Sequence, residues 1–258
     1  MIPIALTIAG SDPSGGAGIQ ADLKTFHQLR VYGTAVVSLI TVQNSTRLSR
    51  VELIEPALVT EQANAVLEDT PPNAIKTGAL GSAGIIAAVA GLPIACALVV
   101  DPVMVSKQGA PLLASSARQG LIELLFPKAT LVTPNLDEAA DLAGIEVSNI
   151  NDMREAAQRI ASFGPQAVLI KGGHLDGIAI DILYHAGEML EFAAERVETR
   201  HTHGTGCTYS AAITAFLARR MSIPEAVANA KRFITQAIRT APGIGAGAGP
   251  LNHWADSL

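Results

Sequence analysis

The feature that most constrains the fold is the alternation of short apolar runs with longer segments of helical periodicity. The runs of strand length are Ile4–Ala9, Thr34–Val42, Ala74–Lys76, Ala97–Val100, Thr130–Val132 and Ala167–Ile170. Strands that alternate with helices in this way pair in parallel through right-handed crossovers. The sequence therefore predicts an α/β fold with a mainly parallel central sheet buried between helices.

Helical segments are expected between and after these strands. They are Ile19–Leu29, Thr60–Glu68, Ala83–Ala90, Ser115–Leu125, Asp137–Ala143, Asn151–Phe163, a helix after Gly206 and a last helix opened by the capping box Ser222–Glu225. Ile180–Tyr184 and Met189–Ala193 are typical of an antiparallel hairpin around Gly187. A glycine-rich tail, 243–250, is expected to be a mobile loop. Because no repeat or linker divides residues 1–258, we expect a single domain.

Composition excludes several classes of protein. Apolar residues make up 49% of the chain and charged residues 16%, which suits a buried parallel sheet. A net charge of −5 without a basic cluster argues against a nucleic-acid partner. The uncharged stretch Ala79–Val100 has the length of a membrane span, but Gly91 and Pro93 interrupt it, so we expect no membrane segment. No signal peptide is evident, and we expect a cytoplasmic protein.

The turn Gly204-Thr205-Gly206-Cys207 leads directly into an uncharged helical segment. A glycine-rich turn at a helix start presents unpaired N–H groups and partial positive charge, so it can bind an anion. Cys207 falls in the first turn, where the helix start is expected to lower the pKa of the thiol. The alternative is an ordinary helix start with Cys207 as a small buried residue. The second cysteine, Cys96, is expected in the core, and two cysteines are too few for a disulfide or metal framework.

Polar residues follow nearly all of the predicted strands. They are Asp12, Gln43, Lys76, Asp101, Asn135 and Lys171. In parallel α/β sheets ligands bind beyond the carboxyl ends of the strands. This shared location predicts a binding site at that edge of the sheet.

Gly16-Ala17-Gly18-Ile19-Gln20-Ala21 fits the dinucleotide pattern G-x-G-x-x-A. That pattern also requires an acidic residue at the end of the second strand, and this strand ends in Gln43-Asn44. A dinucleotide-dependent oxidoreductase is therefore a minority alternative. No lysine follows the loop as in a P-loop.

Four residues have a plain structural interpretation. Asn135 and Glu138 fit a helix capping box. Lys231 is expected on a solvated helix face, and Asp22 is either a surface residue or a ligand-binding one. These residues become site candidates only in combination with the other polar residues at the strand ends.

The combined motifs resemble the hydroxymethylpyrimidine/phosphomethylpyrimidine kinases of thiamine biosynthesis, in the ribokinase-like superfamily. The longest match is Ala9-Gly10-Ser11-Asp12-Pro13-Ser14-Gly15-Gly16-Ala17-Gly18-Ile19-Gln20-Ala21-Asp22. Shorter matches are Lys76-Thr77-Gly78, Asp101-Pro102-Val103-Met104, Thr133-Pro134-Asn135-Leu136, Lys171-Gly172-Gly173-His174 and Thr202-His203-Gly204-Thr205-Gly206-Cys207-Thr208. Together they cover essentially the whole chain.

The resemblance implies a three-layer αβα fold, a homodimer, and the use of ATP and Mg²⁺. It implies that Gly10, Asp22 and Gln43 hold the pyrimidine, next to Ala79. It implies an anion hole at Gly204, Thr205 and Gly206, with Cys207 as the proton acceptor. Asn135 and Lys171 are then expected to bind the nucleotide, and Asp101 and Glu138 the metal.

The expected reaction is ATP-dependent phosphorylation of hydroxymethylpyrimidine and of its monophosphate. Ala79 stands where some members of the family carry methionine, so the pocket is expected to be roomier. A pyridoxal kinase is therefore the nearest alternative, and a non-catalytic ligand-binding protein of this fold is a further one.

Overall fold

The computed structural model describes residues 2–106, 109–173 and 178–256. Its nine strands form one sheet in the order β3-β2-β1-β4-β5-β6-β7-β8-β9. The strands are β1 (Ile4–Ser11), β2 (Tyr32–Gln43), β3 (Leu48–Leu53), β4 (Ala74–Thr77), β5 (Ala97–Val100), β6 (Leu131–Val132), β7 (Ala167–Ile170), β8 (Ala179–His185) and β9 (Glu188–Ala194). Adjacent strands from β2 to β7 pair in parallel, whereas β3, β8 and β9 pair antiparallel at the two edges. The mainly parallel sheet and the final hairpin are confirmed.

Helices cover both faces of the sheet. They are α1 (Gly18–Gln28), α2 (Pro56–Asp69), α3 (Ala83–Ala90), α4 (Arg118–Gly120), α5 (Leu136–Ala143), α6 (Ile150–Ala161), α7 (Thr205–Ala218) and α8 (Ile223–Arg239). Residues of α2, α3, α5 and α6 pack in one core cluster, and residues of α1, α7 and α8 pack in the other. This arrangement is the expected three-layer αβα fold.

Alternation along the strands explains why there are two cores. In β1, Leu6 and Ile8 belong to the first cluster and Ala5 belongs to the second. Successive strand side chains point to opposite faces, so a strand covered on both faces must be apolar throughout. Cys96 is half-buried and packs against the first cluster, in line with its expected core position.

Three segments differ from the sequence-based expectation. The edge strand β3 was not predicted, because its residues include Ser49, Arg50 and Glu52 and most of them are exposed. The predicted helix Ser115–Leu125 is a succession of 3₁₀, α and π turns. The glycine-rich tail forms no helix or strand over 243–249, but Gly247 N donates to Ser45 Oγ over 3.2 Å, so it is anchored to the chain.

In the described part of the chain, no helix combines the length and apolar character that crossing a membrane requires.

Candidate active site

The site lies where the sheet order reverses around β1. The chain leaves β1 toward β2 on one side and returns to β4 on the other, so the loops after β1 and β4 diverge. A crevice opens at such a point beyond the carboxyl ends of the strands. The first turn of α7 comes to the same edge, because Gly204 contacts the loop after β1.

Gly204 is the residue before α7, and its φ of 79° is in the left-handed region. A Cβ at this position would lie 1.8 Å from the carbonyl oxygen of Gly16. Only glycine fits this contact, which holds the turn against the loop after β1. Thr205 N donates to Thr202 O over 3.3 Å. The N–H groups of Gly206 and Cys207 have no partner inside the helix, so this turn presents a local positive potential.

Lys171 brings a second positive charge to this turn. Its Nζ donates to Asp101 Oδ1 over 2.9 Å, and a Cβ placed on Gly206 would lie only 3.3 Å from the same Nζ. Although burial opposes the charge, Asp101 and Glu138 keep the pKa of Lys171 above its ordinary value. Asp101 Oδ2 accepts from Ser210 Oγ over 3.0 Å. Although burial opposes the charge, the positive charges of Lys171 and Lys76 keep the pKa of Asp101 below its ordinary value. The two predicted residues Lys171 and Asp101 therefore meet at the helix start.

Lys76 and Asp22 form an ion pair of 2.9 Å, and both side chains are fully buried. The same Asp22 Oδ2 accepts from Thr7 Oγ1 over 2.6 Å. Asp22 Oδ1 has no hydrogen-bond partner among the described residues. Burial raises the pKa of Asp22, while Asp22 and other negative groups raise that of Lys76 against the effect of burial. The surface position that the sequence left open for Asp22 is wrong.

Cys207 lies in the first turn of α7, as predicted, but its thiol is not activated by that position. Burial raises the pKa of Cys207 to about 11, and the carboxylates of Asp22 and Asp101 add to this effect. Lys76 and the N–H of Gly18 act in the opposite direction without overcoming burial. The prediction of a lowered thiol pKa is therefore wrong, because desolvation outweighs the helix start.

Asp12 organises the loop after β1. Its Oδ1 accepts from Ser14 N over 2.8 Å, and its Oδ2 accepts from Ala17 N and His203 Nε2, each over 2.8 Å. Gln43 also hydrogen-bonds to the Asp12 side chain, and these bonds keep the pKa of Asp12 low although burial opposes the charge. Gln43, at the end of β2, is thereby linked through Asp12 to the residue before Gly204.

The other predicted pyrimidine-binding residues line the same edge. Gly10 is buried against Leu39, because a Cβ there would lie 2.5 Å from Leu39 Cδ1. Ala79 is half-buried after β4, and its carbonyl accepts from Ser38 Oγ over 2.6 Å. Gly10 lies at the end of β1, which pairs with the strand of Gln43, and Ala79 follows β4, on the other side of β1.

Asn135 and Glu138 form the capping box that the sequence suggested. Asn135 Oδ1 accepts from Glu138 N over 2.9 Å, and Glu138 Oε2 accepts from Asn135 N over 2.8 Å. Burial raises the pKa of Glu138 to about 7, against the pull of Lys171. The same residues cap α5 and stand beside Lys171, since Asn135 and Lys171 form a parallel β-bridge.

Some residues of this region were missed or misplaced by the sequence-based analysis. Asp12, His203 and Lys76 belong to matched motifs, but no role was assigned to them. Lys231 is buried and donates to Asp181 Oδ2 over 2.7 Å, so its predicted solvated position is wrong. The sequence signal for this pairing was Asp181, a charged residue inside the mostly apolar strand β8, because a buried charge requires a partner of opposite charge. His174 of the Lys171-Gly172-Gly173-His174 motif lies outside the described residues.

The sequence profile of the phosphomethylpyrimidine kinase family matches residues 12–252. The chain is 46% identical over 256 residues to a hydroxymethylpyrimidine/phosphomethylpyrimidine kinase of Streptomyces coelicolor, covering 98% of this chain and 95% of the relative. It is 47% identical to the thiamine biosynthesis bifunctional protein ThiED of Geobacter sulfurreducens, of which it spans 51% while 96% of this chain is covered.

Solved structures agree with the fold. The pyridoxal kinase from Staphylococcus aureus in complex with AMP-PCP and pyridoxal superposes with a TM-score of 0.91 at 38% identity, covering 99% of this chain and 94% of that one. The phosphomethylpyrimidine kinase from Clostridium difficile gives a TM-score of 0.81 at 44% identity, covering 92% of this chain and 99% of that one. The ribokinase-like fold is confirmed, and the oxidoreductase and non-catalytic alternatives are set aside. With its profile match, its full-length relatives and its fold, the chain is a kinase that belongs to the phosphomethylpyrimidine kinase family.

Proposed function

We propose that this kinase transfers the γ-phosphoryl group of ATP to the hydroxymethyl group of 4-amino-5-hydroxymethyl-2-methylpyrimidine, and then to the resulting monophosphate. The observation that carries the proposal is the approach of Lys171 to the turn Gly204–Cys207, which pairs an ammonium with a helix start. The matches to hydroxymethylpyrimidine/phosphomethylpyrimidine kinases support the choice of substrate.

The pyrimidine is proposed to lie against Gly10, Gln43 and Ala79. An aminopyrimidine edge offers a ring-nitrogen acceptor beside an amino donor, and a single Gln amide can satisfy both. The unpaired Asp22 Oδ1 favours a ligand donor nearby, because a buried carboxylate oxygen without a partner is costly. An amino or hydroxymethyl group would supply that donor.

The phosphates are proposed to lie at the N-terminus of α7. Phosphoryl transfer requires mainly positioning and charge stabilisation. The N–H groups of the turn Gly204–Cys207, above all those of Gly206 and Cys207, would face the charge that develops on the transferring group, together with Lys171. Asn135, which forms a β-bridge with Lys171, is proposed to hold the nucleotide alongside.

Cys207 is proposed to accept the proton of the attacking hydroxyl. The substrate oxygen then forms a bond to the γ-phosphorus as the bond to the β-phosphate oxygen breaks, and ADP leaves. A thiol whose pKa is about 11 is almost entirely protonated at neutral pH. The thiolate that accepts the proton is thus a small population at neutral pH, and it grows as the pH rises.

Mg²⁺ is proposed to accompany ATP. Among the described residues, no cluster of three or more His, Cys, Asp or Glu side chains could hold a metal on its own. Asp101 and Glu138 supply hard oxygen donors beside Lys171, and Mg²⁺ is commonly held by one or two carboxylates plus substrate phosphates. The donor set fits a nucleotide-borne ion, which would neutralise phosphate charge when bound.

The homodimer and the cytoplasmic location are also part of the proposal. Support for a dimer comes from the antiparallel arm β2–β3, where Ile40, Val42 and Leu53 are each about half exposed. Exposed apolar side chains on an edge arm favour a second copy of the chain as the partner. ATP as the proposed co-substrate favours the cytoplasm.

Pyridoxal is the second candidate substrate. The high similarity to the pyridoxal kinase of Staphylococcus aureus and the small side chain of Ala79 favour it. Both substrates are flat heteroaromatic rings with a hydroxymethyl group, so a roomy pocket can admit either.

Mass spectrometry of the reaction products tests the proposal. Incubation with ATP and Mg²⁺ is expected to convert hydroxymethylpyrimidine to a monophosphate and then to a diphosphate. Recovery of the unmodified pyrimidine, with pyridoxal phosphorylated under the same conditions, would overturn the proposed substrate in favour of the second candidate.

A further inference from the structure

Two adjacent residues of α7 bind two buried carboxylates. Ser210 Oγ donates to Asp101, which also accepts from the Nζ of Lys171. Tyr209 Oη donates to Asp181 Oδ2 over 2.9 Å, and Asp181 Oδ1 accepts from Gly172 N over 3.0 Å. Since Lys171 and Gly172 are consecutive, two parallel bridges join the end of β7 to the first turns of α7.

Asp181 accepts a hydrogen bond from the backbone N–H of Gly172, whereas Asp101 accepts one from the side chain of Lys171. Asp181 is 2% exposed on β8, and Lys231 of α8 completes its set of donors over 2.7 Å. Burial and the neighbouring Asp181 carboxylate raise the pKa of Tyr209 well above its ordinary value, so its hydroxyl stays a donor. The carboxylate thus contacts the segment after β7 and the helices α7 and α8 at once.

The backbone of Lys171 and Gly172 is held on both sides. Lys171 N donates to Pro134 O over 2.9 Å, on the side of β6. A Cβ on Gly172 would lie 1.9 Å from the carbonyl of Ile180, on the side of β8. The acceptor that Asp181 offers to Gly172 N is therefore the polar contact that fixes this close approach.

We propose that Asp181 is a positioning residue that holds the Lys171-Gly172 backbone in register with the turn Gly204–Cys207, and so sets the affinity for the phosphates of ATP. The inference rests on the proposed placement of the triphosphate between Lys171 and that turn. Asp181 is buried and is not among the residues proposed above to hold ATP or the pyrimidine. The Asp181 oxygen that accepts from Gly172 N provides this positioning, and the negative charge of the carboxylate contributes less.

A purely stabilising ion pair predicts a different behaviour. Replacing a buried ion pair with apolar residues of similar volume is often neutral for stability, so a purely stabilising role does not require an oxygen acceptor at position 181. The positioning role instead depends on whether the replacement can still accept from Gly172 N. Asparagine retains an oxygen acceptor, whereas leucine has a similar size and none.

Two double variants separate these roles: Asp181→Asn with Lys231→Met, and Asp181→Leu with Lys231→Met. Both remove the ion pair without leaving a buried charge unpaired. Calorimetric titration with ATP alone is expected to show about 10-fold weaker binding for the leucine variant, while the asparagine variant stays close to wild type. Binding of hydroxymethylpyrimidine is expected to change little in either variant. Leu183→Ala, on the same face of β8, serves as a control for lost stability.

Equal ATP affinities of the asparagine and leucine variants would overturn the positioning role. An equal loss of ATP affinity in Leu183→Ala would also overturn it, because reduced stability of β8 would then explain the effect. Failure of the proposed function would look different. A different phosphoryl acceptor would abolish binding of hydroxymethylpyrimidine to the wild-type protein but leave the asparagine–leucine difference in ATP affinity, and a protein that does not use ATP would show no ATP binding in the wild type itself.

Discussion

The Nζ of Lys171 lies 2.9 Å from Asp101 Oδ1 and beside the glycine turn that opens α7. The pair links the ends of β7 and β5 to the helix that carries Cys207. An ammonium held by a carboxylate, rather than by solvent, needs little reorganisation when charge develops next to it. We therefore propose that the pair stabilises a transferring phosphoryl group.

Replacing Lys171 with methionine is expected to lower kcat about 10²–10³-fold, because one preorganised charge contact is lost from the transition state. Lys171→Arg is expected to recover part of the rate. Steady-state kinetics with ATP and hydroxymethylpyrimidine measures both. Lys128→Met is the matched control, since Lys128 donates to the Ala90 carbonyl away from the site. A Lys171→Met enzyme with the kcat of the control would exclude Lys171 from catalysis.

Replacing Gln43 with leucine is expected to weaken pyrimidine binding roughly 5- to 150-fold, because a buried polar partner loses its match. The affinity for ATP is expected to stay near the wild-type value. Titration calorimetry with each ligand separates the two effects. Gln28→Leu is the control, because Gln28 bonds to the C-terminal backbone at Ala255. Unchanged pyrimidine binding in Gln43→Leu would place Gln43 outside the pocket.

The high pKa of Cys207 predicts a distinct pH dependence. A base must be deprotonated to act, so kcat is expected to rise about tenfold per pH unit from neutral pH towards the pKa. Cys207→Ala is expected to lower kcat by about 10²–10⁴-fold and to lose this rise. Cys207→Ser is also expected to be slow, because a hydroxyl titrates far higher.

A stopped or coupled assay over a range of pH measures this profile, with the melting temperature checked at each pH. If Cys207→Ala retained a near wild-type rate and the same profile, the backbone N–H groups would be the main catalytic element. Cys207 would then contribute packing alone.

The strand ends were predictable from the sequence, because buried parallel strands are apolar runs and polar residues after them are conspicuous. Lys171 and Asp101 were found in this way, and the structure brings them together. The Cys207 pKa was not predictable, because desolvation and the charges of Lys76, Asp22 and Asp101, which the fold brings together, determine it. The ion pair of Asp181 and Lys231 was not predicted, because it joins β8 to α8 across 50 residues of sequence.

His253 ties the C-terminal segment to α7. It is 6% exposed and shares a hydrogen bond of 3.1 Å with Thr208, and burial lowers its pKa to about 4. The folded protein thus resists protonating His253, whereas the unfolded chain protonates it below about pH 6.5. Stability is therefore lost as pH falls from 6.5 towards 4, by up to roughly 3 kcal/mol from this group.

Urea unfolding of wild type and His253→Leu across this window measures the effect. The stability of the variant is expected to fall less steeply with acid, because it lacks the titrating imidazole. Parallel pH dependences of the two proteins would contradict the assignment.

An ADP-release assay with hydroxymethylpyrimidine, its monophosphate and pyridoxal, run side by side, decides which acceptor this kinase phosphorylates. Without an added acceptor, ADP release gives the background rate. We predict release with both pyrimidines, at a higher kcat/KM for hydroxymethylpyrimidine than for pyridoxal. Turnover of pyridoxal together with background-level release for both pyrimidines would contradict it.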